Sequence, residues 1–251
     1  MWEIRYSGAT MCGRFARKST QEVLAAWFDL EAEEMPWFAP TYNAAPQSFQ
    51  PVVRLNRDTG GREVAMQRWG LVPFWARDAK IGLNTINARA EEAPAKPAFR
   101  DAFKKRRCLI PADAFYEWQR PDAKTRHPFA IGLKSGEPVA FAGLWERWEP
   151  ADAAAQGPLE SFTILTTDPN ELMAPIHNRM PVIVEPKDYA RWLDSGNAAA
   201  GDAARPPVDL LRPFPAEKMR AWAVSDRVGN VRNNDAALLE PDAPPQGSLF
   251  G

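Results

Sequence analysis

The chain has 251 residues, 31 Lys and Arg against 32 Asp and Glu for a net charge of −1, and 45% hydrophobic content. That length suffices for one large domain or two small ones with a substantial core. The near-zero charge excludes a global attraction to nucleic acid, so any such contact needs a local basic patch.

Ten Trp and 24 Pro argue for short elements and stiff loops. Two Cys far apart in sequence give no disulfide framework and fit a reducing cytoplasm. No run of about 18 apolar residues occurs, so no membrane span is expected. Residues 1–10 lack the apolar segment of a secretory signal and read as an N-terminal extension ahead of Met11, whether a misassigned start (the preferred reading), a pro-segment or a tag.

Ser19-Thr20-Gln21-Glu22 reads as a capping box, and Val23, Leu24, Trp27, Phe28 and Leu30 then keep helical spacing. Residues 33–51 read as irregular. Strands are expected at 50–55 and 64–69, with a turn at Thr59-Gly60-Gly61. A second helix is expected from Pro97 through Phe99 and Phe103 into Lys104-Lys105-Arg106-Arg107, whose charges read as a C-terminal helix cluster in preference to a DNA patch.

Apolar runs at 108–110, 129–133, 139–145, 162–165 and 181–184 have the length and composition of strands. Asp168-Pro169-Asn170-Glu171 reads as the start of a helix that Pro175 ends, leaving His177 just beyond it. A further helix is expected from Lys187 to Leu193, and the stretches 197–204 and 240–251 read as flexible. The fold class is therefore α+β: a compact domain over residues 11–239 with a largely antiparallel, barrel-like mixed sheet flanked by short helices, followed by a tail at 240–251.

Cys12 carries the most distinctive chemistry. If the chain begins at Met11 and that methionine is trimmed, Cys12 gains a free α-amine beside its thiol. With unperturbed pKa values of roughly 8 and about 8.5, both are partly deprotonated near neutral pH. The amine can form a Schiff base with an aldehyde, and the thiolate can close a five-membered thiazolidine. Within an uncut chain from Met1 the same nitrogen is an amide and cannot react in this way.

Taken one at a time, the other candidates have plainer readings. Glu117 between aromatics reads as an exposed strand residue, and His177 as a helix cap. His127 reads as a loop residue and Cys108 as a buried core thiol. No metal set is visible, since two Cys and two His lie too far apart for ligand spacing, and no cofactor is expected.

Seven motifs change this picture when taken in order: Met11-Cys12-Gly13-Arg14-Phe15, Tyr42-Asn43-Ala44-Ala45-Pro46, Trp69-Gly70-Leu71-Val72-Pro73-Phe74-Trp75, Asn87-Ala88-Arg89-Ala90-Glu91, Arg107-Cys108-Leu109-Ile110-Pro111-Ala112, Phe115-Tyr116-Glu117-Trp118 and His177-Asn178-Arg179-Met180-Pro181. In these the chain resembles the SOS response-associated peptidase family, also called abasic-site processing proteins. The resemblance implies a sensor of abasic sites in single-stranded DNA that forms a covalent thiazolidine crosslink. Cys12 would be the nucleophile, Asn87 would hold its amine, Glu117 would be general acid/base on the sugar, and His177 would assist proton transfer and crosslink reversal.

It also implies lyase-type strand incision and self-processing peptidase activity. Arg14, Arg89 and Arg179 are the expected phosphate clamps, Asn43, Pro46 and Trp69 the expected base-stacking surface, and Thr166 a further backbone contact. Core packing is the expected fate of one of Trp69 and Trp75. Two rival readings stay open: a thiol peptidase acting on other proteins, and a non-covalent single-strand binder. Gln246-Gly247-Ser248-Leu249-Phe250, after a Pro-rich linker, resembles the short peptides that dock in the bacterial sliding clamp. A cytoplasmic monomer working at the replication fork is the expected setting.

Overall fold

The computed structural model describes residues 13–56, 58–150, 152, 157–196 and 205–242. Cys12, the stretch 197–204 and the tail motif at 246–250 lie outside them. In chain order the elements are β1 (Phe15–Arg17), α1 (Gln21–Phe28), β2 (Thr41–Ala44), β3 (Phe49–Leu55), β4 (Arg62–Trp69), β5 (Asn87–Arg89), α2 (Arg100–Lys105), β6 (Arg107–Ala112), β7 (Ala114–Gln119), β8 (His127–Leu133), β9 (Val139–Trp148), β10 (Leu159–Thr167), β11 (Met180–Pro181), β12 (Ile183–Val184), α3 (Tyr189–Leu193) and β13 (Met219–Ala223). No helix of the described residues is long and apolar enough to cross a membrane.

Five strands close on themselves. The order β10-β4-β3-β6-β9 returns to β10 through the β9–β10 pairing, which makes a small mixed barrel. Its one parallel seam joins β10 to β4 through Ser161↔Arg68 and Phe162↔Trp69. Beyond that seam β5 pairs parallel with β10, with Asn87 opposite Ile164 and Arg89 opposite Thr166. The second sheet, β13-β8-β7-β1-β2, is antiparallel throughout.

Alternation along β9 shows how the two units join, because successive strand residues face opposite sides. Val139, Phe141 and Trp145 belong to one buried cluster with Phe15, Phe115 and Phe129 of the second sheet. Ala140, Ala142 and Leu144 belong to another with Leu24 and Phe28 of α1 and Tyr189 and Trp192 of α3. One face of the barrel strands thus packs on the sheet and the other on the helices.

Several expectations are corrected in detail. The cap of α1 is Thr20, whose side chain accepts from Val23 N, while the Ser19 hydroxyl bonds Asp113 at 2.6 Å. Residues 97–99 form a turn, so α2 begins at Arg100. The basic run divides: Lys104 and Lys105 are exposed at the end of α2, Arg106 pairs with Glu146, and Arg107 is 1% exposed and donates to the carbonyls of Phe103, Lys104 and Trp192. The stretch from Asp168 to His177 is a pair of turns in place of a helix. Its cap is the Asn170 side chain, which accepts from Met173 N at 2.9 Å, because the Asp168 carboxylate is engaged by Arg179.

Candidate functional site

The site is built around the start of β1. Antiparallel pairing sets Phe15 against Phe115 and Ala16 against Ala114, and Tyr116 N donates to Arg14 O at 3.0 Å. The register therefore brings the leading end of β1 to Tyr116 and Glu117. Among the described residues none comes within 4 Å of a Cβ placed on Gly13.

Glu117 lies two residues beyond Phe115 on β7 and shares its face. It is 2% exposed, which corrects the plain reading of it as a solvated strand residue. Burying a carboxylate beside an apolar cluster is costly unless other groups engage it, so a glutamate is seldom placed there.

Asn87 opens β5 and is half-buried. His177 ends the 170–177 turns, its N–H donating to Met173 O at 2.9 Å. Gln119 Nε2 donates to Pro175 O at 3.2 Å and so ties β7, the strand of Glu117, to the turn that carries His177. Ile86, Phe115 and Ile176 all belong to one buried cluster. Each lies within two residues of Asn87, Glu117 or His177, so the segments that carry these three residues pack on one apolar cluster.

The electrostatics of His177 are defined by its partners. Its Nδ1 accepts from the main-chain N–H of Arg179 at 3.2 Å, which leaves the proton of the neutral ring on Nε2. Burial, reinforced by the positive charge of Arg120, holds its pKa below the ordinary value of 6.5. A neutral imidazole with a free-to-donate Nε2–H suits proton transfer near neutrality.

The residues expected to touch DNA separate into two groups. Arg89 is exposed and forms a 3.5 Å ion pair with Glu92, and Pro46 and Arg14 are half-buried. Arg89 shares the face of Asn87, two residues before it. Trp69, in contrast, is fully buried: it stacks on Phe162 with ring centroids 6.2 Å apart and donates to Ile86 O at 2.8 Å. It cannot offer a face to a base, whereas Trp75 is 49% exposed.

Thr166 is also fully buried, and its carbonyl already accepts from Ala90 N and from Arg179 Nη2. Asn43 is 5% exposed, with its carboxamide bonded to Arg14 and to three main-chain carbonyls. Arg179 is 5% exposed and forks onto Glu91 at 2.6 and 2.8 Å while reaching Asp168 at 2.8 Å. Asn43, Arg179 and the Trp69 indole spend polar groups on other parts of the chain, whereas the Thr166 hydroxyl and Arg179 Nε are buried without a partner.

Elsewhere the plain reading of Cys108 stands. Cys108 is fully buried and burial pushes its thiol far up. His127, expected in a loop, instead opens β8, half-buried and opposite Gln119. Among the described residues no group of three or more His, Cys, Asp or Glu is placed to hold a metal ion. Gln119 was overlooked in the sequence; its signal was the alternation that puts it on the face of Glu117.

The chain is similar to known proteins over nearly its whole length. Residues 11–231 match the family model described as SOS response associated peptidase (SRAP). The abasic site processing protein YoaM of Bacillus subtilis is 43% identical over 92% of this chain and 99% of its own. The abasic site processing protein HMCES of Pongo abelii is 32% identical over 92% of this chain and 76% of its own. Among solved structures, a protein from Bacteroides thetaiotaomicron superposes with a TM-score of 0.76 at 26% identity, covering 92% of this chain and all of that one. The chain belongs to the SOS response associated peptidase family.

Proposed function

We propose that this protein senses abasic sites in single-stranded DNA and captures them covalently through Cys12, once residues 1–11 are absent and Cys12 is N-terminal. The observation that carries the proposal is the β1–β7 register, which sets the Glu117 strand beside the residues that follow Cys12, with Gln119 of that strand tied to the turn that ends at His177. The names of the relatives, abasic site processing proteins, supply the substrate.

The chemistry follows from the parts. Glu117 moves the proton that opens the deoxyribose to its aldehyde, and Asn87 orients the amine. Amine and aldehyde condense to a Schiff base with loss of one water, and the thiolate then adds to the C=N carbon to close the thiazolidine. His177 passes a proton through Nε2 in this step and in its reversal. A Schiff base also acidifies the adjacent sugar carbon, which gives a lyase-type strand break. Arg89 binds phosphate, and the half-buried Pro46 and exposed Trp75 meet bases. The same residues would remove a segment ahead of Cys12, the self-processing role within an SOS response.

Intact-mass spectrometry after incubation with a single-stranded oligonucleotide bearing one abasic site tests this. The expected product is a chain from Cys12 plus the oligonucleotide less one water. An unmodified chain beginning at Cys12 overturns the covalent mechanism, and turnover of unrelated peptides by that chain would establish a thiol peptidase instead. The tail Gln246–Phe250 is proposed to dock in the sliding clamp. Labelled 240–251 peptide should bind purified clamp saturably, and no binding at high micromolar concentration removes that part.

A further inference from the structure

Asn43 and Arg14 carry the alphabet of DNA recognition but face the protein's own chain. Asn43 Oδ1 accepts from Arg14 Nη1 at 3.1 Å, and its Nδ2 lies 3.2, 3.1 and 2.9 Å from the carbonyl oxygens of Val228, Asn230 and Asn233. Arg14 Nη1 donates in turn to Val228 O at 2.9 Å. The loop is also held from outside, since Asn234 Oδ1 accepts from Tyr42 N at 2.6 Å. A primary amide is the one side chain of this size that can accept from a guanidinium while donating to carbonyls; Asp lacks the donor and Leu lacks both.

We infer that Asn43 is a positioning residue: it locks the 228–234 loop across β1 and β2, and the loop carbonyls then fix Arg14, two residues after Cys12, against Tyr116 and Glu117. The inference rests on the proposed role of Cys12 for its catalytic consequence, though not for the anchoring itself. A nucleophile at a chain end is held by backbone on one side alone. Its approach to an aldehyde depends on the anchored side chains behind it, and among the described residues the first of these is Arg14. The distant C-terminal loop is thereby part of the apparatus that aims the N-terminus.

The test uses the protein beginning at Cys12 and the variants Asn43→Ala and Asn234→Ala. Three quantities are measured: amide hydrogen exchange across the chain without DNA, the crosslinking rate on an abasic single strand, and affinity for the same strand lacking the lesion. Exchange in residues 13–17 should accelerate by about tenfold in Asn43→Ala, and less in Asn234→Ala, with segments remote from the loop unchanged. Crosslinking should slow by about tenfold while affinity for the intact strand changes less than about twofold.

Unchanged exchange at 13–17 overturns the inference, as does acceleration spread evenly over the molecule, which would mark a general loss of stability. Affinity falling in step with the rate would assign Asn43 to DNA contact instead. Should Asn43→Ala fail to fold, Asn234→Ala, which spares the buried amide, decides on the same exchange criterion. A wild-type protein that never crosslinks would defeat the proposed function, and the exchange measurement would still decide the anchoring.

Discussion

The main-chain N–H of Arg179 donates to Nδ1 of His177 at 3.2 Å, so one residue orients the imidazole through its backbone while its side chain ties three segments together. The ring's tautomer is thus set by the same short run that anchors it. Since burial and then Arg120 hold the pKa of His177 below 6.5, the ring is neutral at pH 7. Nitrogen-15 NMR should show the Nε2–H tautomer, with titration below 6.5, and Arg120→Gln should move the titration upward. The sign for stability follows: the unfolded chain protonates first as pH falls, so the contribution of neutral His177 is complete above 6.5 and is lost as pH falls through the folded value. A cationic ring at pH 7 would contradict this.

Arg179→Lys keeps the charge and loses the fork. The guanidinium is 6% exposed, but its partners Glu91 and Asp168 are 51% and 82% exposed, so solvent screens much of the interaction. The expected loss is about 1–3 kcal/mol in urea unfolding at neutral pH. Partial burial opposes ionisation of Glu91, yet hydrogen bonding and charge from Arg179 hold its carboxyl below the ordinary 4.5. The deficit of the variant should therefore be full above pH 4.5 and vanish as pH falls through the folded value. A deficit independent of pH would remove Glu91 from the account.

Much of the fold was legible where hydrophobic pattern is strong. The barrel strands β6, β9 and β10 carry clear apolar runs, and β3 and β4 hold Val-Val and Val-Ala-Met flanking a turn, whereas β1, β5 and β13 span three to five residues and carry too few alternations to be seen. At the site, residue type identified Glu117 and His177 as chemistry-bearing, but type alone does not tell a polar group aimed at a ligand from one aimed at a carbonyl. Asn43 and Arg179 are such cases, since their side chains bond other parts of the chain and residue type does not show it. The partners that claim them, Val228 and Glu91, lie 185 and 88 residues away in the chain.

The two tryptophans of the Trp69–Trp75 motif should separate cleanly. Trp69 is fully buried between aromatic rings, with Phe15 at 5.2 Å and Phe162 at 6.2 Å between centroids. Trp69→Ala should cost about 3–5 kcal/mol and leave the Ile86 carbonyl with the Ile164 N–H as its remaining donor. Trp75→Ala should leave stability within about 0.5 kcal/mol and weaken affinity for single strands by roughly 5- to 100-fold, the range of one lost base stack. Unfolding curves and fluorescence anisotropy on the two variants give the comparison, and a stable Trp69→Ala protein would refute the core assignment.

Gly143 marks the seam where the barrel closes, because β9 pairs there with Cys108 of β6 on one side and Ile164 of β10 on the other. A Cβ at this position would overlap Ile110 Cδ1 and lie 2.9 Å from Thr163 O and 3.0 Å from Cys108 Sγ. The isoleucine methyl can rotate away, but the Thr163 carbonyl belongs to the strand that must close the ring. Gly143→Ala should therefore destabilise by about 1–3 kcal/mol. Adding Ile110→Val removes the methyl overlap and should recover part of that loss, with a coupling energy of about 0.5–1 kcal/mol in the double-mutant cycle. Full recovery would mean that side-chain crowding alone forbids a side chain here. Partial recovery, the expected result, assigns the remainder to the backbone contact across the closing seam.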